Sequence, residues 1–384
     1  MTIKKYKLHK VVYYIVRFAL GKLVGLYFGF RSSRYKGPEK PTLIVSNHNS
    51  DLDPAFVALG FTRHMYFVSS EHALRAGFPS KMLKSLFNPI AINKAKPDVS
   101  SIQEMLRRLK AGVSVCLFAE GDRSFNGLTS PISLSTAKLA KTSGADLITY
   151  HLEGAYFVTP RWAIKKRRGR ITGRVVNRYT TDELEKKTAE EVLADIGRDL
   201  FEDAYKRQAE NPRRYPGKNL AENIETVLYL CPGCNKFGTI KSEGNRFYCD
   251  CGLEGIYSTT GLLEGDSLPY STVTDWDLWQ TVQLDGIVRR VGYEPICTDE
   301  DQQLFEVRPA FDKKLVGEGS MYIDRSVFHC AGINFPLDNI IRFAVVGQKV
   351  LLFGLKDGAT YEVRSEAPRS ALKYREIFKV LAGE

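Results

Sequence analysis

The chain has 384 residues, 43% hydrophobic and 26% charged, without a low-complexity tract or internal repeat, which admits two or three globular domains and excludes a disordered or fibrous chain. Seven cysteines, four of them clustered at Cys231, Cys234, Cys249 and Cys251, exclude a secreted disulfide framework and fit a reducing compartment. A net charge of +11, with ten Lys/Arg against Glu39 alone in the first forty residues, calls for an anionic partner: a lipid surface, nucleic acid or a phosphorylated substrate.

Lys4 to Phe30 is aromatic and aliphatic, interrupted by Lys7, Lys10, Arg17 and Lys22. Its uncharged runs fall short of the roughly twenty apolar residues that span a bilayer, and no small-residue cleavage site follows it. Residues 1–35 are therefore expected to form an interfacial helix or helix pair, with Lys and Arg reaching toward headgroup phosphates. An amphipathic helix packed on the protein's own core is the alternative.

Residues 36–210 alternate strand-like and helix-like runs, which predicts an α/β domain with helices flanking a mixed sheet. Strands are expected at 42–45, 65–69, 90–93, 113–118 and 147–152, and helices at 53–60, 79–86, 99–111 and 132–143. A long charged helix is expected over 181–209. The strand Thr42–Val45 leads into Ser46-Asn47-His48-Asn49-Ser50-Asp51-Leu52-Asp53-Pro54, with Ser50 or Asp51 as N-cap and Pro54 in the first turn of the helix. His48 then sits at a strand-to-helix corner with Asp53 able to fold back toward it. That is the layout of a general base oriented by a carboxylate, although a corner histidine beside a helix start has the same sequence pattern.

Two further strand ends carry charge. Ile90-Ala91-Ile92-Asn93 is followed by Lys94, and Phe118 by Ala119-Glu120-Gly121-Asp122-Arg123-Ser124. A guanidinium that grips phosphate bidentately and a glycine that lets backbone N–H groups approach make this second turn a candidate anion site. A charged turn with a local Glu–Arg pair is the plainer reading. Cys116, inside an apolar strand, reads as core. The Arg161–Arg170 block holds six cations around Trp162, the composition of a surface on anionic headgroups, of a solvated loop, or of a nucleic-acid patch.

In this order, these features resemble the glycerolipid acyltransferases of the 1-acylglycerol-3-phosphate type. Asn47 to Asp53 matches that family's Asn-His-x4-Asp block, Phe118 to Ser124 its Phe-Pro-Glu-Gly-Thr-Arg-Ser block, and Ile92 to Lys94 its second block, with Lys94 in the usual place of Arg. Ala119 and Asp122 stand where the family has Pro and Thr, and Tyr150 stands at the Pro of the fourth block. The resemblance covers roughly residues 1–200. It implies a peripheral enzyme on the cytoplasmic face of the cell membrane that moves an acyl group from acyl-CoA or acyl carrier protein to a lysophospholipid hydroxyl. His48 and Asp53 would be catalytic, Arg123 and Lys94 would anchor the acceptor phosphate, Glu120 would hold Arg123 or a glycerol hydroxyl, and backbone donors near the dyad or Gly121 would serve the oxyanion.

Asn211–Lys218 reads as a linker by its Pro, Gly and charge content. In residues 225–262, Cys231-Pro232-Gly233-Cys234 and Cys249-Asp250-Cys251 resemble a zinc ribbon, four thiolates for one structural zinc; two disulfides or unliganded thiols remain open. Residues 271–384 are expected to be β-rich. They begin with a short helix around Asp275–Gln280 that buries Trp276 and Trp279. Strands follow at 321–330, 340–346, 350–355 and 360–364, with turns at Gly347-Gln348-Lys349 and Lys356-Asp357-Gly358. An amphipathic helix over 370–382 closes the chain. This resembles the pleckstrin-homology-like architecture, with His329 and Cys330 as packing residues. The alternative to an enzyme is a catalytically inactive zinc-ribbon adaptor at a membrane or on nucleic acid. The basic stretches lie far in sequence from the cysteines, which disfavours nucleic acid as partner.

Overall fold

Seven short strands pair into one mixed sheet in the computed structural model, which describes residues 3–74, 77–292, 294–308, 313–367 and 369–383. The strands are β1 (Arg31–Ser32), β2 (Thr42–Ser46), β3 (Met65–Ser70), β4 (Ile90–Ile92), β5 (Ser114–Phe118), β6 (Asp146–Glu153) and β7 (Thr172–Tyr179), in the order β1-β7-β6-β2-β5-β3-β4. β2 to β6 run parallel, whereas β7 is antiparallel to β6 and carries β1 at its outer edge. The helices between and around them are α1 (Ile3–Phe28), α2 (Asp53–Gly60), α3 (Gly77–Phe87), α4 (Val99–Lys110), α5 (Leu134–Thr142), α6 (Ala155–Val158), α7 (Thr181–Lys186), α8 (Ala189–Leu200) and α9 (Ala204–Glu210).

Parallel strands bury both faces, so alternate residues pack in opposite directions. Leu43, Val45, Val115, Leu117 and Leu147 meet Met105 and Leu109 of α4, Leu139 of α5 and Val192 and Ile196 of α8 in one core cluster. On the other face α2 packs with α1: Tyr13 Oη donates to Ala58 O at 3.3 Å and Arg17 Nε to the same oxygen at 3.0 Å. Tyr150 is fully buried there, its hydroxyl 2.9 Å from Ser32 Oγ. A Cβ placed on Gly60 would come within 2.1 Å of that hydroxyl, and one on Gly173 within 2.3 Å.

The five strands expected in this region are found within a residue at each end, and the four helices within two. β1 and β7 were not expected. The helix expected over 181–209 is three helices, because Thr180–Glu183 and Thr188–Glu191 each close a capping box and Asp203 caps a third start. Neither Ser50 nor Asp51 caps α2: its N-cap is Leu52, which makes no side-chain bond. The Arg161–Arg170 block is not a uniform surface. Arg161, Trp162 and Arg167 are buried, with Lys165, Lys166, Arg168 and Arg170 exposed or nearly so.

The N-terminal segment is one 26-residue helix. Contrary to the expectation from its charges, Tyr6–Phe28 is long and apolar enough, by length and composition, to cross a membrane. His9 and Tyr13 are buried against the domain, while Leu8, Val11, Ile15, Phe18 and Leu26 are exposed along the helix.

The chain forms two compact units: Met1–Ile92, Asp98–Pro160 and Lys166–Gly217 make the first, and Asn93–Pro97, Arg161–Lys165 and Lys218–Glu384 the second. In the second, β8 (Ile240–Glu243), β9 (Arg246–Cys249), β10 (Glu254–Tyr257) and β11 (Leu263–Glu264) form an antiparallel sheet in the order β11-β10-β9-β8. α10 (Val273–Arg290) follows, eighteen residues long rather than short. It buries Trp276 completely, with the indole N–H donated to Leu230 O at 2.9 Å, while Trp279 is only half-buried. The remaining strands are β12 (Cys297–Val307), β13 (Lys313–Ile323), β14 (Val327–Cys330), β15 (Ile333–Pro336), β16 (Ile340–Val346), β17 (Val350–Leu355) and β18 (Thr360–Arg364). They form a seven-stranded antiparallel sheet in the order β15-β14-β13-β12-β18-β17-β16, followed by α11 (Ala371–Ala382). The strand expected over 321–330 is broken in two, because the Asp324 carboxylate accepts the N–H groups of Ser326 and Val327, each at 2.7 Å, and turns the chain. Trp162 is buried in this unit, with its indole N–H on Leu220 O at 3.1 Å. Arg161 donates to Val345 O at 2.8 Å and Gly347 O at 3.1 Å.

Candidate active site

β2 and β5 are adjacent and parallel with Ser46 opposite Phe118, so the two loops that leave their carboxyl ends start side by side. In open α/β sheets this is the edge at which ligand-binding loops gather. The register brings residues 48 and 120 together: the His48 N–H donates to Glu120 Oε1 at 2.6 Å, and the Ser124 N–H donates to His48 O at 2.9 Å. The His48 ring stacks on Phe118 with centroids 4.3 Å apart.

His48 Nδ1 lies 2.9 Å from Asp53 Oδ2. Asp53 is fully buried at the first position of α2, and its carboxylate is surrounded by donors. Oδ2 also accepts the N–H groups of Asn49 at 2.6 Å and Ser50 at 2.8 Å, and Oδ1 accepts the Ser50 hydroxyl at 2.5 Å. With Oδ2 fixed by these donors, the Nδ1–H of His48 donates to it, which leaves Nε2 as the unprotonated ring nitrogen. The loop is pinned to β6 by Asn47, whose amide donates to Leu152 O at 2.9 Å and accepts the Leu152 N–H at 2.8 Å.

Glu120 does not hold Arg123. Its second oxygen accepts the Ser130 N–H at 2.7 Å, so the side chain ties the His48 loop to the 124–130 loop. Burial pushes its carboxyl from 4.5 up to about 8, against the opposing pull of the two N–H donors. Arg123 instead pairs with Asp51, Nη1 to Oδ1 at 3.0 Å, with 11% of the arginine side chain and 63% of the aspartate side chain exposed. Gly121 has φ +68° and donates its N–H to Phe118 O at 3.1 Å, closing the turn.

Of the residues expected at the site, His48, Asp53, Glu120, Gly121 and Arg123 come together on the first unit. Lys94 lies in Asn93–Pro97, which groups with the second unit. Sequence reasoning missed Asp51 as the partner of Arg123 and Ser130 as the partner of Glu120. The first had a signal, opposite charges in two blocks expected at one site; the second runs through a backbone N–H and had none. His151, in the fourth block, has Nε2 3.0 Å from Glu202 Oε2, both buried, and Glu202 also binds Arg207 at 2.7 Å. This cluster braces the segment after α8 against β6.

The four clustered cysteines meet at one point in the second unit. Their sulfurs all lie within 4.8 Å of one another, with Cys231–Cys251 at 3.7 Å and Cys234–Cys249 at 3.8 Å. Four sulfurs at about 2.3 Å from a tetrahedral ion stand about 3.8 Å apart, close to the two separations above, so this donor set fits zinc. Disulfide bonding would require about 2 Å. Gly233 is part of the fit, for a Cβ there would reach 3.0 Å from the Cys251 sulfur.

Among proteins already known, the family model described as Acyltransferase matches residues 29–153. No curated protein matches. A solved structure to which the chain is similar is the crystal structure of the 1-acyl-sn-glycerophosphate (LPA) acyltransferase, PlsC, from Thermotoga maritima. It is 19% identical over 55% of this chain and 83% of that one, with a TM-score of 0.44. The match spans β1 to the end of β6 and contains the dyad, Glu120 and Arg123; residues 29–153 of this chain are an acyltransferase domain.

Proposed function

We propose that the chain transfers a fatty acyl group from a thioester, acyl-CoA or acyl carrier protein, to the hydroxyl of a lysophospholipid, with 1-acylglycerol 3-phosphate as acceptor and phosphatidate as product. The observation that carries this reading is the 2.9 Å His48–Asp53 pair at the carboxyl edge of the sheet, with the Arg123 guanidinium on the neighbouring loop. His48 Nε2 takes the acceptor hydroxyl proton as the oxygen attacks the thioester carbonyl carbon, and Asp53 stabilises the imidazolium that results. Collapse of the tetrahedral intermediate breaks the C–S bond, and the imidazolium returns its proton to the leaving thiolate. Arg123 binds the acceptor phosphate and so fixes the hydroxyl near His48. No acyl-enzyme is needed; Cys116 is fully buried, and its thiol is raised well above the usual range by that burial.

Three other features fit this function. The exposed apolar stripe of α1, among the cations of the first forty residues, suits docking on the anionic cytoplasmic face of the cell membrane. Cys231, Cys234, Cys249 and Cys251 would hold a structural zinc, closed by four sulfurs and outside the chemistry. Residues 271–384 are read as a pleckstrin-homology-like module that would serve scaffolding or regulation.

The test is thioester turnover by the purified chain across a panel of lysolipid acceptors. His48→Ala and Asp53→Ala each lower kcat by about a thousandfold or more, and Arg123→Ala raises the acceptor KM roughly ten- to a hundredfold while sparing the donor's. Full activity in both dyad variants would remove the dyad from the mechanism.

A further inference from the structure

Asp51 lies between the two dyad residues, yet it does none of the work that its place before a helix suggests. It makes no capping bond, for the N-cap is Leu52, and its side chain is 63% exposed. The charged partner it has among the described residues is Arg123, on the loop after β5, at 3.0 Å. The pair is lopsided: the guanidinium side chain is 11% exposed and held in place, whereas the carboxylate stands mostly in water. The Asp122 carboxylate next to Arg123 is engaged by the Arg123 backbone N–H at 3.2 Å.

A guanidinium receives a carboxylate and a phosphate through the same fork of N–H donors. An exposed carboxylate on a sheltered guanidinium is therefore a placeholder that a phosphate can replace, since Asp51 recovers its hydration by turning outward. We propose that Asp51 is a latch on Arg123: it occupies the acceptor phosphate's position in the unliganded chain and is displaced when the acceptor binds, which sets the affinity for phosphorylated acceptors. This inference rests on the acyl-transfer reading and on Arg123 as the phosphate anchor. The latch opposes binding and not chemistry, so it acts on the acceptor KM and leaves kcat alone. Partly exposed ion pairs are weak, so the expected effect is small and its sign is diagnostic.

The experiment is steady-state kinetics of the full chain with 1-acylglycerol 3-phosphate and acyl-CoA, using Asp51→Asn and Asp51→Glu. Asp51→Asn is expected to lower the acceptor KM by about two- to fivefold, with kcat and the donor KM unchanged. Inorganic phosphate should inhibit this variant at a correspondingly lower concentration, and Asp51→Glu should restore the wild-type acceptor KM. A merely structural role for Asp51 predicts the opposite sign, a raised KM or a lost kcat, and either result, or an unchanged KM, overturns the latch. Should the wild type turn over no lysolipid, the acyl-transfer reading falls, and calorimetry with inorganic phosphate decides the latch separately: tighter binding by Asp51→Asn than by wild type supports it, and equal or weaker binding overturns it.

Discussion

Glu120 is a positioning residue that serves the backbone: one oxygen takes the N–H of His48 and the other that of Ser130. In Glu120→Gln one of those N–H groups faces an amide NH2, which costs about 1–3 kcal/mol and loosens the loop that carries the base. We expect a lower melting temperature and a lower kcat with little change in the acceptor KM. The pH dependence has a definite sign. With the folded carboxyl raised from 4.5 to about 8, the folded chain binds more protons than the unfolded one between those values. The wild type's stability advantage over Glu120→Gln is thus greatest below pH 4.5 and is lost as pH rises toward 8, a trend measurable by melting curves across that range. An advantage that grows with pH would contradict the assignment. At this scale the sequence was legible where chemistry sits in side chains. His48 and Asp53 were found because an imidazole and a carboxylate follow one strand. The Glu120 contacts could not be found, because their donors are backbone groups that every residue possesses.

The cysteines of the proposed zinc site lie among short elements: β8 to β11 are two to four residues each. A metal that closes such a sheet contributes folding energy directly. Metal analysis of chain purified reduced should give one zinc per molecule. Chelation should raise amide exchange over residues 231–264 and leave the exchange of β2, β5 and α2 unchanged. Protein without zinc that retains full protection there would refute the metal site. Helices and strands were legible where hydrophobic period and end signals agreed, as in α2, β16, β17 and β18, all found at their expected bounds. They were misread where end signals were overlooked: Thr180–Glu183 and Thr188–Glu191 are both Thr-x-x-Glu boxes, and each divides what charge content alone made one helix. β1 and β7 were missed for another reason. β1 is only Arg31–Ser32, and β7 flanks Val175 and Val176 with Gly, Arg and Asn, so the pairing of both depends on partners distant in sequence.

On the scale of the whole molecule, α1 has one side closed by the domain and the other open. Leu8, Val11, Ile15, Phe18 and Leu26 recur at helical spacing, with Phe18 73% and Leu26 84% exposed. If this side docks on membrane, Phe18→Glu should weaken cosedimentation with vesicles containing anionic lipid by about tenfold or more. Turnover of detergent-dispersed acceptor should persist, and added salt should weaken binding of the wild type. Binding that ignores both the substitution and salt would move the docking surface elsewhere. Composition and charge indicated an anionic partner, but which face of the helix was open depended on His9, Tyr13 and Arg17 finding Tyr66 and Ala58. The second unit has a further consequence, one of timing. Its Ala95 packs beside Gly354, and its Arg161 and Trp162 bond to Val345, Gly347 and Leu220. These early residues leave the ribosome well before the groups that receive them, so this unit cannot close until the chain has been made beyond Gly354. A stop codon after Gly217 would strand an indole and a guanidinium without their acceptors, and the shortened chain would be a natural client for chaperones.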